Sequence, residues 1–536
     1  MKTIRQLMLK PWLYLIIIFL GIALKFYRLD YRFFWYDETS TIQHASGNQI
    51  FHVPVNEIKN RSFYIDQLHL RKQNLTMTSE LKGLFSSTNL TPMHYPFLMI
   101  WYRIVGDDPI HYRLFSVFIF ILTLPVLFFL IKILSDSNLA AWIGTSLFSV
   151  LPVIHFCAQH ARFFILWIFF ICLSHYLFLM AVRKNNLQWW IAYTITGILS
   201  LYTAVFSGLI LVGHLAYIAF LKRKLCLTYV ISMFIILLFY SPWIYSMLIN
   251  RDEIIASLWW HSHFNVDHKY WKLILCQFAS YTWTFVSMYV GQSLEIIANY
   301  KISGNYAVFF SETAILLLIF YSIVYGIRKL PKDVSFFLIL MLLPEFLFFY
   351  ISDIIRNTNS SIIWKYQLVI YVAILLFMVF FLHKKIIQQN LYVSAIYLVF
   401  IIAGVIISIK DSGKKCYFSG LNCNTSFIEA EVFSKAQKPL LISDFSFWYG
   451  NINAFMPIIN EYESDNIYVL YASPDIENVE VMLTNKDYSD IYVIHASNEL
   501  VKNLKSQFGE RMDSLAIEGT SPMLQIYLSK NNYINH

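Results

Sequence analysis

Charge is what this sequence has least of. Only 14% of its 536 residues are Asp, Glu, Lys or Arg, against about 25% in an average soluble chain. With 57% hydrophobic residues, a soluble globular domain is excluded, because no fold of this length could hide that much apolar surface from water. Cysteine is scarce as well: there are six, and Cys157, Cys172, Cys226 and Cys276 lie in or beside apolar stretches without metal-like spacing, where a thiol is a small buried hydrophobe. No A-x-A-like cleavage site follows the first apolar run, only GIALKFYR, so that run is a retained helix and not a signal peptide. Internal repeats and low-complexity tracts are missing, which argues against a transporter built from inverted repeats. The net charge of +8 is modest, and nothing in its pattern points to nucleic acid.

What is abundant is apolar sequence of spanning length. Runs at about 11–30, 113–134, 139–157, 163–182, 189–204, 206–221, 226–247, 306–327, 334–352, 364–382 and 391–409 each approach the ~20 residues a bilayer requires. Aromatics make up 18%, in keeping with helices that end in interfacial belts of amphipathic rings. With eleven spans and a cytoplasmic N-terminus, the inside loops carry Lys2/Arg5/Lys10, Lys132, Arg183/Lys184, Lys222/Arg223/Lys224, Arg328/Lys329/Lys332 and Lys384/Lys385, as the positive-inside rule requires. The segment 271–291 is apolar enough to span, but a twelfth span would move the last two basic groups outside. It is therefore read as interfacial or re-entrant.

The expected fold is a polytopic α-helical membrane protein with a small extracytoplasmic α/β domain. Residues 1–409 form the membrane part, with a first outer loop at about 25–111, and 410–536 form the soluble part. The tail alternates apolar strands (KPLLISDF, NIYVLYAS, DIYVIHAS, MLQIYLS) with a helical stretch over Asn498–Phe508, a pattern suited to an α/β sheet. It contains no Gly-rich phosphate loop. Cys416 and Cys423, seven apart in CYFSGLNC, are disulfide candidates if that side of the membrane is oxidising.

Polar residues with chemical potential gather at the outer ends of the runs. After the first helix, FFWYDE places Asp37 and Glu38 behind an aromatic cluster; adjacent residues on a helix point about 100° apart, so the two carboxylates have separate tasks. In TPMHYP, Pro92 and Pro96 bracket His94 and Tyr95 and fix a turn. Arg113 opens the second run. AQHARFF sets Gln159, His160 and Arg162 in a very short turn between spans, where an unpaired Arg is costly and a guanidinium can grip phosphate oxygens through two parallel hydrogen bonds. Arg356 lies outside, and Lys365 with Tyr366 sits at the mouth of the tenth run; alone, Lys365 reads as a snorkelling side chain. At mid-membrane the runs are almost free of charge, apart from Glu312 near the start of one and Glu345 within another.

These elements in order resemble a family. An Asp-Glu pair follows helix one, a Pro-bracketed segment and G-D lead into Arg113-Leu114, then come Q-x-A-R-x-aromatic at 159–164, FYSPWI at 239–244, and a basic residue with Tyr opening a late helix. The set resembles the membrane glycosyltransferases of the GT-C superfold that use polyprenyl-phosphate sugars: glycosyltransferase family 39, the protein O-mannosyltransferases and the lipid A aminoarabinose transferase. It covers about 10–385. The chain departs from that pattern at Tyr202-Thr203-Ala204, where a His often follows, at Lys365-Tyr366 in place of Arg-Tyr, and at Pro92-Met93 in place of a double Pro.

The resemblance implies an inverting transfer of a sugar from a polyprenyl-phosphate donor to a glycolipid, glycan or protein acceptor at the outer face of the plasma (inner) membrane. Asp37 would be the base and Glu38 its partner. Arg162 and Lys365, with Tyr366, Arg113 and Arg356 behind them, would hold the donor phosphate, and His94, Tyr95 and Gln159 would line the pocket. No cofactor is demanded by the residues; a divalent metal held by His94 with a nearby carboxylate is compatible with them. The competing readings are a lipid or solute transporter, which would place more charge within the spans, and a scaffold acting through its tail.

Overall fold

The computed structural model describes residues 6–51, 53–86, 91–257, 270–286, 306–416, 423–444, 456–462, 465–484, 487–515 and 523–527. A helix occupies each of the eleven apolar runs, and among the described residues seven are long and apolar enough to cross a membrane: Pro109–Ser135, Phe164–Lys184, Arg223–Ile249, Phe309–Lys329, Lys332–Arg356, Leu368–Ile387 and Leu391–Ser412. Pro11–Phe26 and Ser207–Leu221 are apolar but shorter, Leu187–Thr203 is a further helix, and the run at 139–157 completes the set. The chain is a multi-pass membrane protein. Helices suit these runs because a helix satisfies its backbone internally, which hydrocarbon demands. Their ends follow from local chemistry. Ser137 and Asn186 accept hydrogen bonds from Ala140 and Trp189 amides as N-caps, and Asn185 and Asn357 close helices in the left-handed region at φ 44° and 51°.

The run read as one span at 139–157 is instead a pair, Asn138–Val150 and Pro152–Ala158, bent by 63°. Pro152 has no amide hydrogen and pushes Leu151 out of the helical region, to ψ 135°. The break exposes carbonyls that other elements reach. Lys25, fully buried, donates from Nζ to the Ser149 carbonyl at 2.9 Å. A Cβ at Gly21 would lie 2.7 Å from the Ser149 carbonyl oxygen, and one at Gly404 would lie 2.4 Å from that of Val150, so both positions need glycine for close backbone approach. In the segment 271–291, the described part is the helix Tyr270–Ser280 followed by a 3-10 turn, Tyr281–Thr284. That is too short to span; 287–291 lie outside the described residues.

The contacts divide the chain into two units. One is helical: residues 1–29, 87–94 and 113–412. The other joins 30–86, 95–112 and 413–536, so the first outer loop is grouped with the tail. Its sheet has six strands in the order β1-β3-β2-β4-β6-β5: β1 (Ile58–Asn60), β2 (Pro439–Ser443), β3 (Tyr468–Tyr471), β4 (Asp490–Ile494), β5 (Met512–Leu515) and β6 (Met523–Ile526). β2 is central and parallel to both β3 and β4, while β1, β5 and β6 pair antiparallel. All five residues of β2 are buried, as for a strand covered on both faces. Leu500, Leu504 and Phe508 form the buried stripe of the helix Asn498–Phe508 against this sheet.

β1 belongs to the first loop, and its neighbours tie that loop to the tail. The Asn56 amide nitrogen donates to the Tyr471 carbonyl at 2.7 Å, and its side chain exchanges hydrogen bonds with Ser473. Arg61 donates to the Ile459 carbonyl at 3.0 Å and pairs with Asp465 at 3.3 Å. Cys416 is half-buried; the Cys423 side chain lies outside the described residues, and with it the expected disulfide.

Candidate functional site

In the helical unit, the turn after Pro152–Ala158 carries Gln159 to Arg162. Gln159 is buried, and its amide nitrogen lies 3.1–3.2 Å from the carbonyls of Leu24, Lys25 and Tyr27, while its amide oxygen accepts from Ser412 at 3.4 Å. These are the open carbonyls at the C-terminal end of Pro11–Phe26. Gln159 is thus an anchor between helices. His160 is buried with Nδ1 2.9 Å from the Phe156 carbonyl. Arg162 follows, its guanidinium 5.7 Å from the Phe163 ring and 5.9 Å from that of Phe164, within the range where a cation is attracted to an aromatic face.

The second element is the turn Trp364–Tyr366. It is built from the end of Lys332–Arg356: Asn357 reverses the chain, and the buried Asp353 carboxylate gathers the loop by accepting from the Thr358 hydroxyl at 2.6 Å and from the Ser360 and Ser361 amides at 2.7 Å. The loop then delivers Trp364 edge-on to Phe156 and Phe164, at 4.8 and 4.7 Å. Those rings flank Gln159–Arg162, so Trp364 seats the Lys365 turn beside the Arg162 turn. Lys365 is half-buried with Nζ 5.7 Å from the Tyr366 ring, and Tyr366 stacks on Phe349 at 5.5 Å. Two cations are therefore carried on adjoining, aromatic-braced turns at helix ends.

His94 joins them. It is buried, edge-on to Phe115 at 5.6 Å. Burial and, secondarily, the Arg162 guanidinium push its imidazole down to about 3. It is neutral at physiological pH, able to donate or accept a hydrogen bond but not to add charge. The preceding Met93 amide is fixed to the Tyr202 carbonyl at 2.9 Å. Arg113 is buried, and its Nη1 donates to the Leu29 carbonyl at 2.9 Å. Arg356 is exposed at the last position of its helix.

Asp37, Glu38 and Tyr95 belong to the other unit. Asp37 and Glu38 occupy the first turn of the helix Tyr36–Ala45; Glu38 is fully buried and Asp37 half-buried. That helix starts without a side-chain cap on Trp35, leaving negative charge in its first turn to complement the open amides. Thr39 and Thr41 hydroxyls bond back to the Tyr36 and Asp37 carbonyls at 2.8 and 3.0 Å. Upstream, the Phe33 amide bonds to the Lys415 carbonyl at 3.0 Å. Tyr95 is buried and stacks on His44 at 5.2 Å. Different burial of two neighbouring carboxylates gives one reachable group and one sequestered group. Among the described residues, no cluster of three or more His, Cys, Asp or Glu side chains is placed to hold a metal ion.

Three residues that shape this arrangement escaped the sequence reading: Asp353, Trp364 and Lys25. Asp353 had a signal in the run D-x-x-x-N-T-x-S-S, where an acid is followed by loop amides and hydroxyls. Trp364 had none, since an interfacial Trp is expected at any span end.

No protein-family model matches the chain, and a comparison with curated protein sequences gives no match. Solved structures do match. The crystal structure of ArnT from Cupriavidus metallidurans bound to undecaprenyl phosphate is 12% identical, covers 96% of this chain and 98% of its own, and superposes with a TM-score of 0.51. The apo oligosaccharyltransferase of Archaeoglobus fulgidus is 12% identical over 93% of this chain and 73% of its own, at a TM-score of 0.46. The fold of this chain is of the GT-C type.

Proposed function

We propose that this protein is a membrane glycosyltransferase that moves a sugar from a polyprenyl-phosphate carrier to a glycolipid, glycan or protein acceptor at the outer face of the plasma membrane, inverting the anomeric carbon. The observation that carries the reading is the pair of cationic turns, Arg162 and Lys365, braced by Trp364 in a chain of GT-C fold. A carrier of this kind keeps its tail in the bilayer and its phosphosugar at the interface, where helix ends lie.

In the reaction the acceptor hydroxyl oxygen forms a bond to the anomeric carbon while the bond from that carbon to the phosphate oxygen breaks. The electron pair leaves with the lipid phosphate, and the hydroxyl proton goes to the Asp37 carboxylate. Arg162 and Lys365 answer the charge on the leaving phosphate. A guanidinium suits this because two parallel N–H groups match two phosphate oxygens. Glu38, sequestered, orients Asp37 or the acceptor, and neutral His94 offers a hydrogen bond without competing for the anion. Inside-positive loops support a topology with the first loop and the tail outside.

The test is transfer by purified protein supplied with polyprenyl-phosphate sugar and acceptor. Asp37→Asn keeps size and hydrogen-bonding capacity but cannot take the proton, so turnover should fall by about 10²–10⁴ with donor binding retained. Retention of more than roughly a tenth of wild-type turnover, less than the smallest loss general-base removal causes, would falsify the assignment.

A further inference from the structure

Glu80 sits on the helix Met77–Ser86 of the first outer loop, fully buried, and the transfer reaction gives it no task. A carboxylate is costly to bury unless its oxygens are answered, and here both are. One accepts from the Tyr102 hydroxyl, and the other accepts from Arg103 Nη2 at 2.6 Å. Hydrogen bonds to an ionised partner are the strong ones. Tyr102 and Arg103 lie in the last turn of the helix His94–Ile104, whose open carbonyls are held in turn: Arg71 donates from Nε to Tyr102 and from Nη2 to Arg103, both at 2.9 Å. Glu80 therefore joins one helix to the fixed end of another.

Both of these helices grip a third. The helix Tyr36–Ala45 carries Asp37 in its first turn and runs out through Ser46 into Gly47, at φ 66°. There two backbones meet: a Cβ on Gly83 would strike the Gly47 carbonyl oxygen, and a Cβ on Gly47 would lie 2.6 Å from the Glu80 Cα. Only glycine permits that approach. Tyr95, in the first turn of His94–Ile104, stacks on His44 with ring centroids 5.2 Å apart. The chain ahead of the Asp37 helix is tied where the Phe33 amide donates to the Lys415 carbonyl at 3.0 Å. The helix thus hangs between two holds, and the far one is a seat formed by Met77–Ser86 and His94–Ile104 together.

We infer that Glu80 is a positioning residue for Asp37: by holding Met77–Ser86 to His94–Ile104 it fixes the seat that sets the direction of the Asp37 helix. The inference rests on the reading of Asp37 as the base. Proton transfer is sensitive to placement, and a displacement of about 1 Å can cost about 10²-fold in rate. A charged, fully buried group far along the chain from the chemistry is suited to that task, because its bonds are lost as a unit when either partner is removed.

The experiment uses the full-length protein in detergent. Glu80→Gln keeps the shape but removes the charge that Arg103 answers; kcat should fall about tenfold while the donor KM stays within about twofold, since placement and not donor binding is disturbed. In an Asp37→Asn background the same substitution should lower turnover no further, because residues that act through one step are not additive. Tyr102→Phe removes one hydroxyl and no charge; it should cause a smaller loss of the same kind, and it decides the case if Glu80→Gln does not fold. A second readout needs no sugar donor. In an Asp37→Cys variant, the rate of maleimide labelling at position 37, read on its peptide by mass spectrometry, should change several-fold when Glu80→Gln or Tyr102→Phe is added. Losses that multiply with Asp37→Asn, or a labelling rate that neither substitution alters, would overturn the inference and leave Glu80 a local packing group. An Asp37→Asn protein that keeps its turnover would instead sink the base assignment, while the labelling comparison still reports on the seat, so the two failures are told apart.

Discussion

The helical unit keeps its candidate cations on aromatic rings, and the α/β unit keeps its candidate carboxylates on the first turn of a short helix. Arg162 rests against Phe163 and Phe164, and Lys365 sits between Trp364 and Tyr366, each ring packed on another. Such a mount helps to fix where a charge sits through shape. Asp37 and Glu38 are fixed through backbone geometry: one helical step separates an accessible group from a sequestered one. The comparison teaches that a guanidinium or ammonium is positioned by what it lies on, and a carboxylate by where its helix begins. Substitutions can break either half separately.

Arg162→Ala should have the largest effect on donor use. Losing hydrogen bonds to a charged partner costs about 1.5–3 kcal/mol, or a ~10- to 10²-fold fall in kcat/KM, read by steady-state kinetics on the donor. Arg162→Lys should restore only part, because an ammonium lacks the planar fork. If Arg162→Ala leaves donor kinetics intact, the aromatic mount serves packing alone.

Arg61→Ala tests the α/β unit in turn. Its hydrogen bonds to Ile459, Asn460 and Asp465 hold the first loop to the tail, and their loss should lower that unit's stability by about 1–3 kcal/mol in chemical denaturation. Proteolysis of the tail should quicken while the transmembrane helices stay protected. Equal loosening of both units would contradict their division.

Acid sharpens the contrast further. The His94 imidazole titrates at about 3 in the folded protein against an ordinary value of 6.5. Between those values the unfolded chain holds the extra proton, so stability falls as pH drops from about 6.5 toward 3. His94→Gln should flatten that part of the pH–melting curve for the helical unit, and leave the tail's acid response unchanged. The smallest effect belongs to Ser497→Ala, which removes the N-cap accepting from Leu500 at 3.0 Å and should cost the α/β unit about 1 kcal/mol by thermal melting.

The helices were legible because each apolar run carries its own signal of length and hydropathy, independent of the others. Where one was missed in part, at Pro152, a local rule outweighed hydropathy: the proline turned one expected span into a bent pair. The tail strands β2, β3, β4 and β6 and the helix Asn498–Phe508 were equally plain, since alternating apolar residues bounded by polar turns identify them. β1 was not. Three residues in a long polar loop carry no periodicity, and their place beside β3 depends on Asn56 and Arg61 meeting a segment some four hundred positions later. The same holds within the site. Arg162 was found as a costly cation in a short turn and Lys365 through the family resemblance, but that Trp364 joins their turns is long-range packing that no local pattern contains, and Gln159, matching a motif, is spent on the carbonyls of the first helix.

The most direct test of the central claim follows the donor itself. Membranes containing the wild-type protein or Asp37→Asn are incubated with polyprenyl-phosphate sugar and acceptor, and the lipids are quantified by mass spectrometry. The account predicts that the wild type converts donor into free polyprenyl phosphate and glycosylated acceptor in equal amounts, and that the variant leaves the donor intact. Donor that persists with the wild type, or disappears equally with the variant, would contradict it.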